Sequence, residues 1–217
     1  VVDKVFMAST HDYLLCFTNK GRAYWLRVYD IPEGSRTAKG KAIVNLLNLT
    51  DEDVSAVIPL RSFDSDKYFL YATKSGRIGK FSQDLFSRPR AGGIIGMTLL
   101  DGDELVDVVM TNGKSDVVLT TAYGQSLRFS EEEVRATGRG SQGVIGIKMK
   151  YEEDRVCGLT LVDEKAKYLF LLTDKGFGKR TLLDEFMGHG RATQGVRAIT
   201  ANFERGPVVS AVAVSDE

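Results

Sequence analysis

Phe69-Leu-Tyr-Ala-Thr-Lys-Ser-Gly-Arg77 sets an apolar, strand-forming run against a threonine, two variable residues and a glycine. The pattern returns at Leu14-Leu-Cys-Phe-Thr-Asn-Lys-Gly-Arg22, Val117-Val-Leu-Thr-Thr-Ala-Tyr-Gly-Gln125 and Leu169-Phe-Leu-Leu-Thr-Asp-Lys-Gly-Phe177. Its glycines, Gly21, Gly76, Gly124 and Gly176, stand 55, 48 and 52 residues apart. A second glycine follows each one before another apolar run: Gly40, Gly93, Gly143 and Gly195. Two marks in the same order, four times, establish an internal repeat of about fifty residues.

The periodicity inside a repeat is that of strands. Ala56–Leu60, Tyr68–Thr73, Arg77–Phe81 and Ile94–Leu100 are short, β-branched or aromatic, and bounded by turn residues. Thr-x-x-Gly reads as a hairpin whose glycine takes the left-handed conformation that closes a three-residue loop. The expectation is an all-β chain of antiparallel, four-stranded, propeller-like blades. Approximate repeats are 3–55, 56–107, 108–158 and 159–207, with a first strand at Val5–Ser9 and a further repeat starting at 208–217. Any helix should be a single turn, near Glu131–Glu133.

Composition excludes several classes. The 217 residues hold 29 basic and 29 acidic side chains, so formal charge is zero and no histone-like bulk basicity exists. No apolar run approaches the roughly 18 residues that span a bilayer. Val1-Val2-Asp3-Lys4-Val5-Phe6 lacks the order of a signal peptide and opens without methionine, as a piece of a longer chain would. Cys16 and Cys157 lie far apart in apolar runs, which suits buried thiols in a reducing cytoplasm.

Among blade families, a WD-type propeller needs Trp-Asp dipeptides, and the single tryptophan is Trp25. A kelch array needs a glycine doublet in each repeat, and only Gly92-Gly93 qualifies. Six further stretches carry a resemblance: Ala8–Arg22, Lys39–Leu47, Asp101–Leu105, Val134–Gly138, Gly178–Thr181 and Arg191–Val196. They resemble, in order and throughout the chain, the C-terminal domain of DNA gyrase A, the β-pinwheel of type IIA topoisomerases. The resemblance implies about four blades of a six-bladed family domain that bends duplex DNA around its rim. It implies partnership with the rest of gyrase A and with gyrase B in the heterotetramer, and support of ATP-dependent negative supercoiling. The cleaving tyrosine and the ATP and magnesium sites of that family lie outside the domain. No catalytic residue, metal or cofactor is therefore expected here, and the fragment should be monomeric, off the membrane, cytoplasmic and nucleoid-associated.

One departure matters. The family's gyrase box, Gln-Arg-Arg-Gly-Gly-x-Gly, is absent from this sequence, and matching starts at what would be the second blade. The box is thus expected upstream of Val1, with degenerate counterparts at Ser35–Gly40, Ser87–Gly92 and Gly138–Gly143. A parent lacking the box would suit an A-type subunit of topoisomerase IV. A propeller-like protein-interaction platform without DNA wrapping is the alternative of another class.

Charge read locally supports the DNA reading. Lys20 to Lys41 and Lys74 to Arg90 each carry net +4, Lys175 to Arg197 net +3, and Gln125 to Lys148 net +1. Acidic residues gather at Asp51–Asp53, Asp101–Asp107 and Glu152–Asp154, and are expected on a different face. Candidate phosphate contacts are Lys20, Arg22, Arg36, Lys39, Lys41, Lys74, Arg77, Arg88, Arg90, Arg128, Arg139, Lys175, Lys179, Arg180 and Arg191.

Other motifs fail on context. Gly138-Arg-Gly-Ser-Gln-Gly143 spells a dinucleotide fingerprint, but strand-like Val144–Met149 follows where a helix N-terminus is needed. Ser9-Thr-His11-Asp12 are adjacent and cannot converge as a triad. His11 and His189 with two scattered cysteines give no metal spacing, and the Asn48-Leu-Thr50 sequon has no meaning in a cytoplasmic chain. Tyr24, Trp25, Tyr68, Phe69, Phe81, Phe129 and Phe170 read as inter-blade core rather than stacking platforms for single strands.

Overall fold

The computed structural model describes residues 5–216, so the outer limits at residues 3 and 217 lie outside it. Each Thr-x-x-Gly segment closes a hairpin. Gly21, Gly76, Gly124 and Gly176 have φ of 81°, 90°, 89° and 82°, a region that side chains with a Cβ disfavour. The threonine has its own task. Its Oγ1 accepts the amide of the residue after the glycine, at 3.2 or 3.3 Å in all four repeats, so the turn leaves that donor paired.

In chain order the strands are β1 (Tyr13–Thr18), β2 (Arg22–Arg27), β3 (Val54–Leu60), β4 (Tyr68–Thr73), β5 (Arg77–Ser82), β6 (Ile94–Ile95), β7 (Leu105–Thr111) and β8 (Asp116–Thr121). There follow β9 (Gln125–Ser130), β10 (Val144–Ile145), β11 (Val156–Val162), β12 (Tyr168–Thr173), β13 (Gly178–Leu182), β14 (Val196–Arg197) and β15 (Val208–Val214). They form four antiparallel sheets ordered β3-β1-β2-β6, β10-β5-β4-β7, β11-β8-β9-β14 and β13-β12-β15. The chain is all-β, with one short α-helix, α1 (Ile43–Leu46), and four 3-10 turns among the described residues. One 3-10 turn is Glu131–Glu133, as expected.

The topology corrects the sequence reading in three places. A repeat does not keep its four strands. The strand after the second glycine crosses to the preceding sheet, so β6 pairs with β2, β10 with β5 and β14 with β9. These exchanged strands are two residues long, not the seven expected at Ile94–Leu100, because Gly96 and Met97 turn to donate their amides to the Gly21 carbonyl. Val5–Ser9 forms no strand, and Val208–Val214 completes the fourth sheet by pairing with β12 instead of opening another.

Packing follows from strand alternation. In β4, Phe69 and Tyr71 face the first sheet's Leu15 and Phe17, while Leu70 and Ala72 face the third sheet's Val117 and Leu119. Both faces are covered, and the strand is buried from Phe69 to Thr73. In β12 only alternate residues are buried, since Leu169 and Leu171 meet the third sheet while Phe170 stays half-exposed. Phe17, Phe69 and Phe86 meet edge-on with centroids 5.4 to 5.8 Å apart, and Tyr71 stacks on Phe81 at 5.0 Å. The outer face of the first sheet is covered by its own following loop, with Ile43, Leu46 and Leu47 of the α1 segment packed around Leu14, Cys16 and Leu26.

Candidate nucleic-acid interface

Strands β3, β7, β11 and β15 pack against one another in succession and line the inside of the array. The exchanged strands therefore lie at the opposite edge, and the loops that precede them form an outer rim. Gly93, Gly143 and Gly195 sit where each loop enters its exchanged strand, with φ of 69°, 68° and 65°; Gly40, with φ of 72°, leads into α1 instead of the strand-like run its repeat position suggested. A Cβ at Gly143 or Gly195 would stand 2.4 Å from a carbonyl of the neighbouring sheet, so only glycine lets the loop come this close.

Successive loops are stitched into one band. Gly140 donates to the Gly96 carbonyl at 2.9 Å and Thr98 to the Ser141 carbonyl at 3.1 Å. One repeat on, Ala192 donates to Gly146 at 2.7 Å and Lys148 to Thr193 at 2.9 Å. Side chains add tethers. Arg22 Nη2 donates to the Gly92 carbonyl at 2.7 Å, and Arg77 donates to the carbonyls of Gln142 and Gly143, each at 2.7 Å. The Tyr71 hydroxyl donates to Ser141 at 3.1 Å; burial, the main cause, pushes its pKa up to about 12.

The fifteen candidates divide into five groups. Arg36, Lys39, Lys41, Arg88, Arg90, Arg139 and Arg191 lie on the rim loops, and all but the half-buried Arg191 are exposed. Arg139 Nη1 and Arg191 Nη1 also touch the previous exchanged strand, at the carbonyls of Ile95 (3.4 Å) and Ile145 (2.6 Å). Arg22 and Arg77 are half-buried behind the loops they tether. Lys20, Lys74 and Lys175 occupy the hairpin tips instead. There Lys74 pairs with Glu104, and Lys175 donates to the Phe203 carbonyl and lies 4.8 Å from that ring's centroid. On the last sheet Lys179 Nζ donates to the Ala198 carbonyl at 3.0 Å and the Arg180 guanidinium lies 4.2 Å over Tyr168. Arg128 is enclosed at 14% side-chain exposure between Asp116, at 2.9 Å, and the Leu183 carbonyl, at 3.0 Å.

The acidic turns do gather at one end of the sheets, but they bring the tip lysines with them. The Asp53 amide donates to Asn19 Oδ1 at 3.0 Å, the Ser75 amide to Asp103 Oδ1 at 2.9 Å, and the Tyr123 amide to Asp154 Oδ1 at 3.0 Å. The rim gains Arg135, Lys148 and Arg197, all exposed and overlooked in the sequence. The signal for Arg197 was its place two residues after Gly195, which Ile95 and Ile145 hold after their glycines. No group of three or more metal-ligating side chains lies together among the described residues, and no helix there is long and apolar enough to cross a membrane.

This architecture has known counterparts. The family model described as "DNA gyrase C-terminal domain, beta-propeller" matches residues 12–61, 67–112, 115–162 and 167–215, one hairpin and its inner strand in each segment. The DNA gyrase A protein of Salmonella typhimurium is 44% identical over 216 residues, 99% of this chain and 24% of the relative. That of Chlamydia muridarum is 42% identical over 215 residues, 98% of this chain and 26% of the relative. The chain thus spans about a quarter of the length of the curated relatives it matches. Among solved structures, the C-terminal domain of DNA topoisomerase IV superposes with TM-score 0.85 at 30% identity, covering 95% of this chain and 65% of that one. The DNA gyrase A C-terminal domain superposes with TM-score 0.81 at 29% identity, covering 97% and 68%. With its four matched segments in register with its four sheets, the chain belongs to the family of DNA gyrase C-terminal domains.

Proposed function

We propose that the outer rim binds the phosphates of duplex DNA without reading sequence, and that successive sheets bend the duplex around the array. The rim basic residues carry this reading. They recur on each loop, the second to fourth loops are joined into a band by main-chain hydrogen bonds, and the acidic turns Asp51–Asp53, Asp101–Asp107 and Glu152–Asp154 lie at the hairpin tips. Guanidinium and ammonium groups on fixed loops neutralise phosphates and release counterions, which gives affinity without base contacts. Bending a duplex smoothly costs several kcal/mol, and contacts repeated from sheet to sheet can offset that cost.

In this reading the chain is the wrapping part of a larger gyrase A polypeptide, working in the cytoplasm with the rest of that polypeptide and with gyrase B. DNA cleavage and magnesium-dependent ATP hydrolysis belong to those other parts. The resemblance to a topoisomerase IV C-terminal domain favours a second reading, an A-type polypeptide that does not supercoil. Supercoiling against decatenation assays on the larger protein with its B partner separate the two.

Fluorescence anisotropy with a duplex of about 40 base pairs across a salt series tests the rim. Arg88→Glu, Arg90→Glu and Arg139→Glu together should reduce affinity at least tenfold and flatten the log–log salt slope by about 0.9 for each phosphate no longer neutralised. Lys74→Glu at a hairpin tip should change neither. Equal effects from both variants would refute a rim-specific interface.

A further inference from the structure

Trp25, Lys80 and Arg128 each stand four residues after a hairpin glycine, and each side chain makes the same kind of bond with a different chemical group. Trp25 Nε1 donates to the Phe86 carbonyl at 2.9 Å, Lys80 Nζ to the Glu131 carbonyl at 2.9 Å, and Arg128 Nη1 to the Leu183 carbonyl at 3.0 Å. All three acceptors belong to the 3-10 turn of the following sheet: Gln83–Phe86, Glu131–Glu133 and Leu183–Phe186. Charge reinforces two of them. Lys80 Nζ and Glu131 Oε2 lie 3.6 Å apart at 7% and 0% side-chain exposure, and the exposed Asp184 lies 3.7 Å from Arg128.

We propose that these three residues are positioning residues: latches that fix the angle between adjacent sheets and thereby the path of the rim. Each junction is then pinned twice, behind the rim by a latch and nearer the rim by a second bond: loop-to-loop main-chain hydrogen bonds at the first two junctions, and Lys179 Nζ on the Ala198 carbonyl at the third. Two separated pins define an angle where one leaves a hinge. Apolar packing alone is non-directional and would let the sheets rotate over one another. A donor aimed at one carbonyl would not, because a buried carbonyl deprived of its partner is costly. The same geometry reassigns Arg128, whose sequence context suggested a phosphate contact, to a latch. The effect on DNA rests on the wrapping reading above, whereas the effect on the inter-sheet angle does not.

The test uses the full chain. Nitroxide labels at Lys114→Cys and Lys165→Cys, in a Cys157→Ala background, report the separation of the third and fourth sheets without DNA. Arg128→Gln, whose shorter side chain cannot carry its amide to the Leu183 carbonyl, should broaden or shift that distance distribution, and Arg128→Lys, which keeps a donor on a longer chain, should restore it. Labels at Thr10→Cys and Asp66→Cys should show the same for Trp25→Phe, which keeps the ring and removes only the N–H. An unchanged distribution in both folded variants overturns the latch. On an end-labelled duplex of about 40 base pairs, Arg128→Gln should lower energy transfer between the DNA ends at saturation while the salt slope changes by less than about 0.9. A slope lower by a full phosphate with the bend intact would make Arg128 a phosphate contact and refute the proposal. If the parent chain itself fails to bend DNA, the wrapping reading falls, and the distance distributions alone decide the latch.

Discussion

Gly124 and Gly176 occupy equivalent hairpin turns, with φ of 89° and 82°, yet their surroundings differ. A Cβ on Gly124 would lie 2.2 Å from the Ile199 carbonyl, because the next repeat's segment crosses over the turn there. A Cβ on Gly176 would meet nothing within 4 Å. Gly176→Ala should therefore cost only the left-handed strain, about 1–2 kcal/mol. Gly124→Ala adds a backbone overlap, for about 2–5 kcal/mol in total. Urea midpoints at constant m check the difference, and equal losses would show that the crossing segment yields. The glycines were legible in the sequence because conformation and close approach both demand that residue. The rim tethers were less legible. Arg22 and Arg77 look like any basic residue after a turn, and only the path of a loop some seventy residues away turns them into tethers.

At the scale of elements, hairpin strands could be read to within two residues because short apolar runs closed by a Thr-x-x-Gly turn are a local signal, as at Tyr68–Thr73 and Arg77–Ser82. The exchange of β6, β10 and β14 could not. A two-residue strand has no period to detect, and which sheet it joins is decided by a carbonyl in another repeat. This exchange makes each rim loop depend on the preceding hairpin. Arg77→Ala removes two tethers to the loop at Gln142 and Gly143 and should cost about 1–2 kcal/mol. It should also speed tryptic cleavage at Arg139 while the chain remains folded. Lys74→Ala breaks an exposed pair with Glu104 and should cost under about 1 kcal/mol, with no change in cleavage at that loop. Thermal melts and timed proteolysis of the two variants check both statements.

Over the whole molecule, zero net charge concealed an ordered surface: acidic turns at the hairpin tips and most of the exposed basic candidates on the rim loops, where Glu133 stands beside Arg191. Sequence windows found the basic excess but assigned the tip lysines to it, since a window cannot tell a turn from the loop facing the other way. The interior makes a separate prediction about pH. Burial pushes the thiols of Cys16 and Cys157 from an ordinary 9.0, and the Tyr71 phenol from 10.0, to about 12. Below about pH 9 all three are protonated in the folded and unfolded chain alike, so their protonation adds no pH dependence. Between about pH 9 and 12 the unfolded chain releases these protons first, and stability should fall as pH rises. Urea melts from pH 7 to 11 measure the fall, and Cys16→Ala should reduce it.

The claim that joins these scales is that the rim carries duplex DNA along a fixed curved path. Ligation of nicked circular plasmid in the presence of the chain, followed by deproteinisation and two-dimensional gel analysis, measures that path directly. The account predicts a shifted linking-number distribution that grows with bound chain and disappears in the Arg88→Glu, Arg90→Glu, Arg139→Glu variant. An unshifted distribution on plasmid shown to be saturated with the chain would mean that the rim binds DNA without wrapping it.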